Sequence, residues 1–566
     1  MAAETEAKYL DRKRAAVRYL KDNEVPKRFQ RLLNDVVVKR PDDIFGYMAE
    51  YFAKESKPPT IANVITSEVF STRRYPSFQV EIQALVHGNI MTLGSCKAPW
   101  DGKPAETKPA VKGKSPAPVD SKLSKTDGQC SPEDPEDGIQ AVIQNIHDFI
   151  KPLLIGCQLY DQEEINKTLE EIISQRSTEK AQSSTMCVKE DVASENEKVI
   201  KEDEALPNDE MEPEEDSSTE PAVHLDILTI SMALVQSASD LQKCQLYQYL
   251  YKTIHNEEPT SLSLPTPLMN VLRCDRRTAG KLYMFKDVMI FMKKNTPAMQ
   301  SLKNMTEIYQ QLELIVQQKP ISNMMADNGA LTPSVDKAEQ GLDLIRDGIS
   351  AAGYSFEEDV AVAITCACKD IYDKDKQKYE VSSNTFKSCD ELINFYVDLC
   401  DHYPEIKVLV DPFAPEDRES FGKLSERIRG NCFLINQETF SNNRKVFGKI
   451  LKKGFVSGNV VKTENVSTIH QFLEQTKTIE DCSRILFISP NEVDTDEHFI
   501  VDVAVAVQAD FLILGGPGRS ENIGKYNRLL SIINELNKRD LLVAKEPILP
   551  HTTSPQIEIE TEKNET

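Results

Sequence analysis

Cysteine and histidine are the side chains best suited to metal or redox chemistry, and the chain has 12 and 8 of them in its 566 residues. Their spacing argues against both chemistries. No two cysteines form a CxxC pair. Cys366 and Cys368 flank a single residue on an apparent strand, and without a secretory leader such thiols are expected to be reduced and buried. The histidines form no HxH or HExxH pattern, so no zinc site is expected. Lys plus Arg number 67 against 90 Asp plus Glu, a net charge of -23, which excludes general nucleic-acid binding, since that needs a basic face. Much of this acidity sits in one segment, which leaves the folded parts closer to neutral. The remaining candidates stand at the ends of apolar runs: Asp411 after Leu409-Val410, Lys462 after Asn459-Val460-Val461, and the glycine-rich Gly515-Gly516-Pro517-Gly518-Arg519-Ser520-Glu521.

The elements around them predict an α/β barrel over 265–545. Strand-like apolar runs occur near 267–272, 287–291, 360–366, 407–411, 432–435, 459–461, 485–488 and 511–514. Helical stretches at 300–318, 336–352, 387–402, 416–429, 467–476, 498–508 and 521–538 separate most of them. Eight strands with interleaved helices suit a barrel, and such folds keep their chemistry at the C-terminal ends of the strands. Upstream, residues 60–90 alternate as strands, with Phe78, Val80 and Ile82 on one face. Residues 138–174 and 225–254 are helical in pattern. Between them lie two insertions expected to be disordered: the Lys/Pro/Ser/Asp-rich 97–137 and the acidic 176–222. A polar tail follows over 548–566.

The first 55 residues read as two amphipathic helices. Phe29, Leu32, Leu33, Val36 and Val37 recur at helical spacing behind the start signal Val25-Pro26. Arg40-Pro41-Asp42-Asp43 breaks the chain, and Asp42 or Asp43 can cap a second helix whose stripe is Ile44, Met48, Tyr51 and Phe52. Two short helices cannot bury a core alone, so the stripes predict self-association, most simply as a dimeric four-helix bundle. Met1 to Ala7 lacks the apolar core of a secretory signal, and no run of about 18 apolar residues is present to span a membrane.

Gly515 to Glu521, followed by Lys525-Tyr526-Asn527-Arg528-Leu529-Leu530, resembles the enolase segment G-A-P-x-R-S-E-R-x-A-K-Y-N-Q-L-L. Leu409-Val410-Asp411-Pro412-Phe413 is similar to the I-E-D-P-F strand end of that family. Ala326-Asp327-Asn328-Gly329 stands where enolases have G-D-E-G, and Val69 to Ile82 resembles a further N-terminal stretch. The resemblance runs over roughly 60–545 and is nearest to a divergent enolase-like subfamily of sperm. It implies an α+β domain built from 60–96 and 138–256, followed by the eight-stranded α/β barrel. The head, residues 14–55, resembles the docking-and-dimerisation module of protein kinase A regulatory subunits. That resemblance implies a homodimer whose groove, formed by Val25, Leu32, Leu33, Val36, Ile44 and Met48, takes the amphipathic helix of an anchoring protein.

Enolases convert 2-phosphoglycerate to phosphoenolpyruvate and water, with magnesium stabilising the charge built on the substrate carboxylate and a lysine taking the proton. The resemblance puts Lys462 at the proton-acceptor position, where neighbouring cations could lower its pKa enough for a base. It puts the three carboxylate ligands of magnesium on Thr365, Val410 and Asn436, which offer no anionic oxygen, so the usual metal site is not expected to work. Asp411 is next door to Val410 and faces the other way. The acid carboxylate falls on Asn328, a second carboxylate on Lys286, the loop histidine near Arg277, the second lysine on Ile513, and the flexible serine loop near Gly94-Ser95. The phosphate-binding strand end reads Ser489-Pro490-Asn491-Glu492, without its arginine. Arg277, Lys286 and Lys462 would make a basic mouth able to hold 2-phosphoglycerate or phosphoenolpyruvate without metal, with Gly516 beside it. Two functions compete: a structural or adaptor protein of the cytoplasm, in a sperm flagellum or cilium, and a phosphopyruvate hydratase with a rebuilt site.

Overall fold

The computed structural model describes residues 2–100, 135–187 and 224–550, apart from 279, 295, 319–324, 415–416, 438–450 and 452–455. Most of the two expected insertions, and the tail from 551, therefore lie outside the described residues. The head has three helices where the stripes predict two: α1 (Ala2–Asp22), α2 (Val25–Lys39) and α3 (Ile44–Glu55). Residues 11–22 of α1 are exposed, and its content of Ala, Lys, Arg and Glu favours a helix by propensity. Glu24 turns left-handed at φ 50° and separates α1 from α2. Asp43 caps α3 by accepting the Gly46 amide at 2.9 Å.

α2 and α3 pack through Leu32, which is fully buried, and through Phe29 and Phe52, whose rings lie 5.1 Å apart. Of the expected groove residues, Leu32 is therefore consumed inside the hairpin. Val25, Val36 and Met48 are half-buried, while Leu33 and Ile44 are exposed, as are Val37, Val38 and Phe45.

The N-terminal domain begins with an antiparallel meander, β1 (Thr60–Phe70), β2 (Pro76–Val86) and β3 (Asn89–Lys97). Phe78, Val80 and Ile82 are fully buried, as their alternation predicts. They share a core with α4 (Leu225–Gln242), a helix buried nearly all round. Gly94 lies inside β3, where a Cβ would come within 2.6 Å of the Ser237 amide nitrogen. Gly94-Ser95 is thus a strand packed against a helix, not the flexible loop that the resemblance placed there. The helix Gln162–Cys187 runs into the segment expected to be disordered, and Arg176 anchors it to Asp226 at 2.8 Å.

The barrel strands are β4 (Thr266–Cys274), β5 (Phe285–Met292), β6 (Val360–Cys366), β7 (Ile406–Val410), β8 (Phe433–Asn436), β9 (Gly458–Val461), β10 (Ile485–Ile488) and β11 (Phe511–Ile513). They close in chain order, β11 beside β4. β5 runs antiparallel to both neighbours, and the other pairs are parallel. The reason is length: residues 275–284 are too few for a helical crossover, which needs about a dozen. β5 therefore brings its N-terminal end to the mouth where the other strands bring their C-terminal ends. The interior is a dry cluster that includes Leu268, Val408, Val410, Ile435 and Val460, with Phe487 stacked on Phe511 at 4.5 Å. Among the described residues no helix is long and apolar enough to cross a membrane.

Candidate active site

The strand ends surround a cavity of about 70 Å³. β4 supplies Asn270 and Arg273, β5 Lys286 and Asp287, β6 Thr365, and the turn after β9 Lys462. The loop after β10 supplies Ser489 to Glu492 and Asp494, Ile513 and Gly515 come from the end of β11, and Thr72 and Arg73 reach over from the meander. Two loops are clamped together at one side. Gly516 donates its amide to the Asn328 carbonyl at 2.7 Å, and a Cβ on Gly516 would stand 2.2 Å from the Gly329 carbonyl oxygen. Asn522, on α5 (Ser520–Lys538), donates to both loops at 2.9 Å.

The mouth is mixed in charge rather than basic. Its cations are Arg73, Arg273, Lys286 and Lys462, and its anions are Asp287, Asp327, Glu492, Asp494 and Glu521. Lys286 is ion-paired with Glu492, Lys462 with Glu464 at 3.1 Å, and Arg73 with Asp327 at 3.1 Å. Arg273 meets Asp275 at 2.9 Å. Burial pushes the Glu492 carboxyl up, but Lys286, then Lys462 and Arg273, outweigh it and hold it at about 2. Burial disfavours the Arg273 cation, yet Asp287 and Asp275 more than offset that and raise its pKa.

The expected site residues divide accordingly. Lys462, Lys286, Thr365 and Asn328 line one cavity. Arg277 does not; its side chain is 56 % exposed and turns onto Asp275. The buried guanidinium at the mouth belongs to Arg273 instead. Gly516 serves the loop clamp rather than a ligand, and Gly515 lines the cavity. Asp287, one residue after Lys286, brings a carboxylate to the cavity, and a register shift lies between Phe285 and Asp287 where both side chains line it. Asn328 donates to Asp287 at 2.5 Å. Asp287 directly follows Lys286 and Arg273 ends an apolar run, so both were visible in the sequence; Glu464 and Asp494 carried no local signal.

A magnesium ion does not fit the donors at the three positions to which the resemblance assigned its ligands. Val410 is fully buried in the dry interior, and Asn436 is 1 % exposed with its amide donating to Asn459 at 2.6 Å. Thr365 contributes a neutral hydroxyl. Asp411 adopts φ 46° and accepts the Gln437 amide at 2.9 Å, so it ties β7 to β8 outside the cavity. Among the described residues no group of three or more His, Cys, Asp or Glu could hold a metal ion.

Residues 261–546 match the family model described as "Enolase, C-terminal TIM barrel domain". The chain is 29 % identical to Enolase 4 of Xenopus laevis, over 94 % of this chain and 92 % of the relative. It is 26 % identical to Enolase 4 of Homo sapiens, over 94 % and 89 %. An Enolase of Metallosphaera sedula is 31 % identical over 48 % of this chain and 65 % of its own length.

Proposed function

This chain belongs to the enolase family, and from that premise we propose that it is a non-catalytic member, a pseudoenzyme whose barrel serves as a scaffold. The observation that carries this reading is the donor set. An isopropyl in a dry core, an amide bonded to its neighbour and a lone hydroxyl stand where the family reaction needs anionic oxygens for magnesium. The acid position is also an amide, Asn328, already engaged with Asp287. Without metal the reaction loses several kcal/mol of charge stabilisation, which at about 1.36 kcal/mol per decade slows it roughly a thousandfold or more. The test is absorbance at 240 nm with purified protein, 2-phosphoglycerate and magnesium. We expect no rise above a Lys462→Ala control. Magnesium-dependent turnover that vanishes in Lys462→Ala would overturn the reading and favour a hydratase with a rebuilt site. That second reading draws on Lys462, which is 5 % exposed and still lines the cavity.

As a scaffold, the chain would act through its head, in the cytoplasm of a flagellum or cilium. Residues 14–55 would form a homodimer and take a partner's amphipathic helix. The exposed Leu33, Val37, Val38, Ile44 and Phe45 support this, since an unaccompanied hairpin gains nothing by presenting them to water. Deleting residues 14–55 is expected to convert a dimer to a monomer by light scattering. An unchanged dimer mass would assign self-association to the barrel instead.

A further inference from the structure

The carboxylate of Glu492 sits among three cations from other parts of the barrel. It is ion-paired with Lys286, and it also lies in the fields of Lys462 and Arg273. Those three side chains are 13, 6 and 8 % exposed, whereas that of Glu492 is 38 % exposed. The anion thus enters from the solvent side and covers cations that are nearly sequestered. Other carboxylates stand close, namely Glu464 on Lys462, Asp275 on Arg273, and Asp287 on the next position of β5. Despite them the field at Glu492 is positive enough to outweigh its burial.

The loop carrying Glu492 is latched over the mouth. Asn491 Oδ1 accepts from Thr463 Oγ1 and from the Glu464 amide, each at 2.9 Å. The Glu492 amide donates to Glu464 Oε2 at 3.1 Å, and Thr72 Oγ1 donates to the Asp494 carbonyl at 2.8 Å. Contacts from the turn after β9 and from the meander therefore hold the backbone where the side chain can reach Lys286. Buried cations are costly unless paired, and this arrangement pairs them from within the chain.

We infer that the barrel mouth is an anion site occupied by the protein itself: Glu492 holds the place of a small oxyanion and excludes it. The cations of the mouth then stay paired from within the chain with no metabolite or metal bound, which suits a scaffold. The inference rests on the reading of the mouth as metal-free.

Glu492→Ala removes the internal anion, and Glu492→Gln removes its charge while keeping its volume, so the second carries the test if the first does not fold. The probe is inorganic phosphate in EDTA, by isothermal titration and by thermal melting against chloride of equal ionic strength. The unaltered chain is expected to show no phosphate response in the millimolar range. Both variants should bind phosphate at least about tenfold more tightly, as one charge-assisted contact provides. Adding Lys286→Ala to either variant should reverse the gain. Variants that respond no more than the unaltered chain, or an unaltered chain that binds as tightly as they do, would overturn the inference. Turnover at 240 nm would defeat the pseudoenzyme reading and leaves the phosphate result to be judged separately.

Discussion

Lys525→Ala is expected to destabilise the protein by about 3 kcal/mol, measured as the denaturant midpoint, because it breaks a buried pair and leaves its partner uncompensated. Lys525 is fully buried on α5, ion-paired with Asp494 and donating to Asn522 Oδ1 at 3.1 Å. Burial pushes the Asp494 carboxyl up and Lys525 opposes that, with burial the larger effect. Asp494 keeps 23 % of its side chain exposed, so it can take up a proton in the variant, which places the loss at the low end for broken buried pairs. The damage should also reach the mouth. Asp494 belongs to the loop that carries Glu492, and Asn522 clamps the loops around Asn328 and Gly516. Lys525→Met keeps much of the volume and isolates the charge effect. Combining it with Asp494→Asn should recover part of the loss, since no buried charge then remains. An unchanged midpoint for Lys525→Ala would mean that the pair contributes nothing.

Val410→Glu restores a carboxylate at a family ligand position and is nevertheless expected to cost roughly 3–5 kcal/mol, the scale of an uncompensated buried charge. Val410 points into the dry interior with Val408, Ile435 and Leu268. A glutamate there would displace a valine packed among apolar side chains. Burial would raise its pKa above the usual value of about 4.3, so the loss should grow as the pH rises from about 4.3 to that raised value and shrink as the pH falls back toward about 4.3. Magnesium should not recover the midpoint, because the neighbouring positions, Thr365 and Asn436, remain neutral. A midpoint that climbs by several degrees on adding magnesium would show that the barrel end still assembles a metal site, and would count against the donor argument.

Much of this fold was written in local pattern. The eight apolar runs are the eight barrel strands, since a strand buried in a barrel must be apolar wherever it faces the interior or the helices. The direction of β5 was also available, from the shortness of 275–284, but counting strands and helices does not reveal it. α1 is less legible than α2 and α3, because its described residues 11–22 lie exposed and bury no stripe. In the head, the stripe of α2 and α3 was legible, yet it could not say that Leu32 closes the hairpin while Leu33 faces water.

At the mouth the division follows from what sequence encodes. Side-chain chemistry belongs to each residue, so the hydroxyl of Thr365, the isopropyl of Val410 and the amide of Asn436 were legible whatever the packing. The pairing of charges is a property of space. Lys286 and Glu492 are 206 positions apart, and Arg73 reaches Asp327 from a different domain. Only barrel closure brings those strand ends together, and only the register shift in β5 turns Lys286 and Asp287 to the same cavity. The sequence by itself therefore determined which groups are present, and that Thr365, Val410 and Asn436 offer no anionic oxygen to a metal. The tertiary structure decided that the expected basic mouth is neutralised from within, because electrostatic energy depends on distances that no spacing along the chain records.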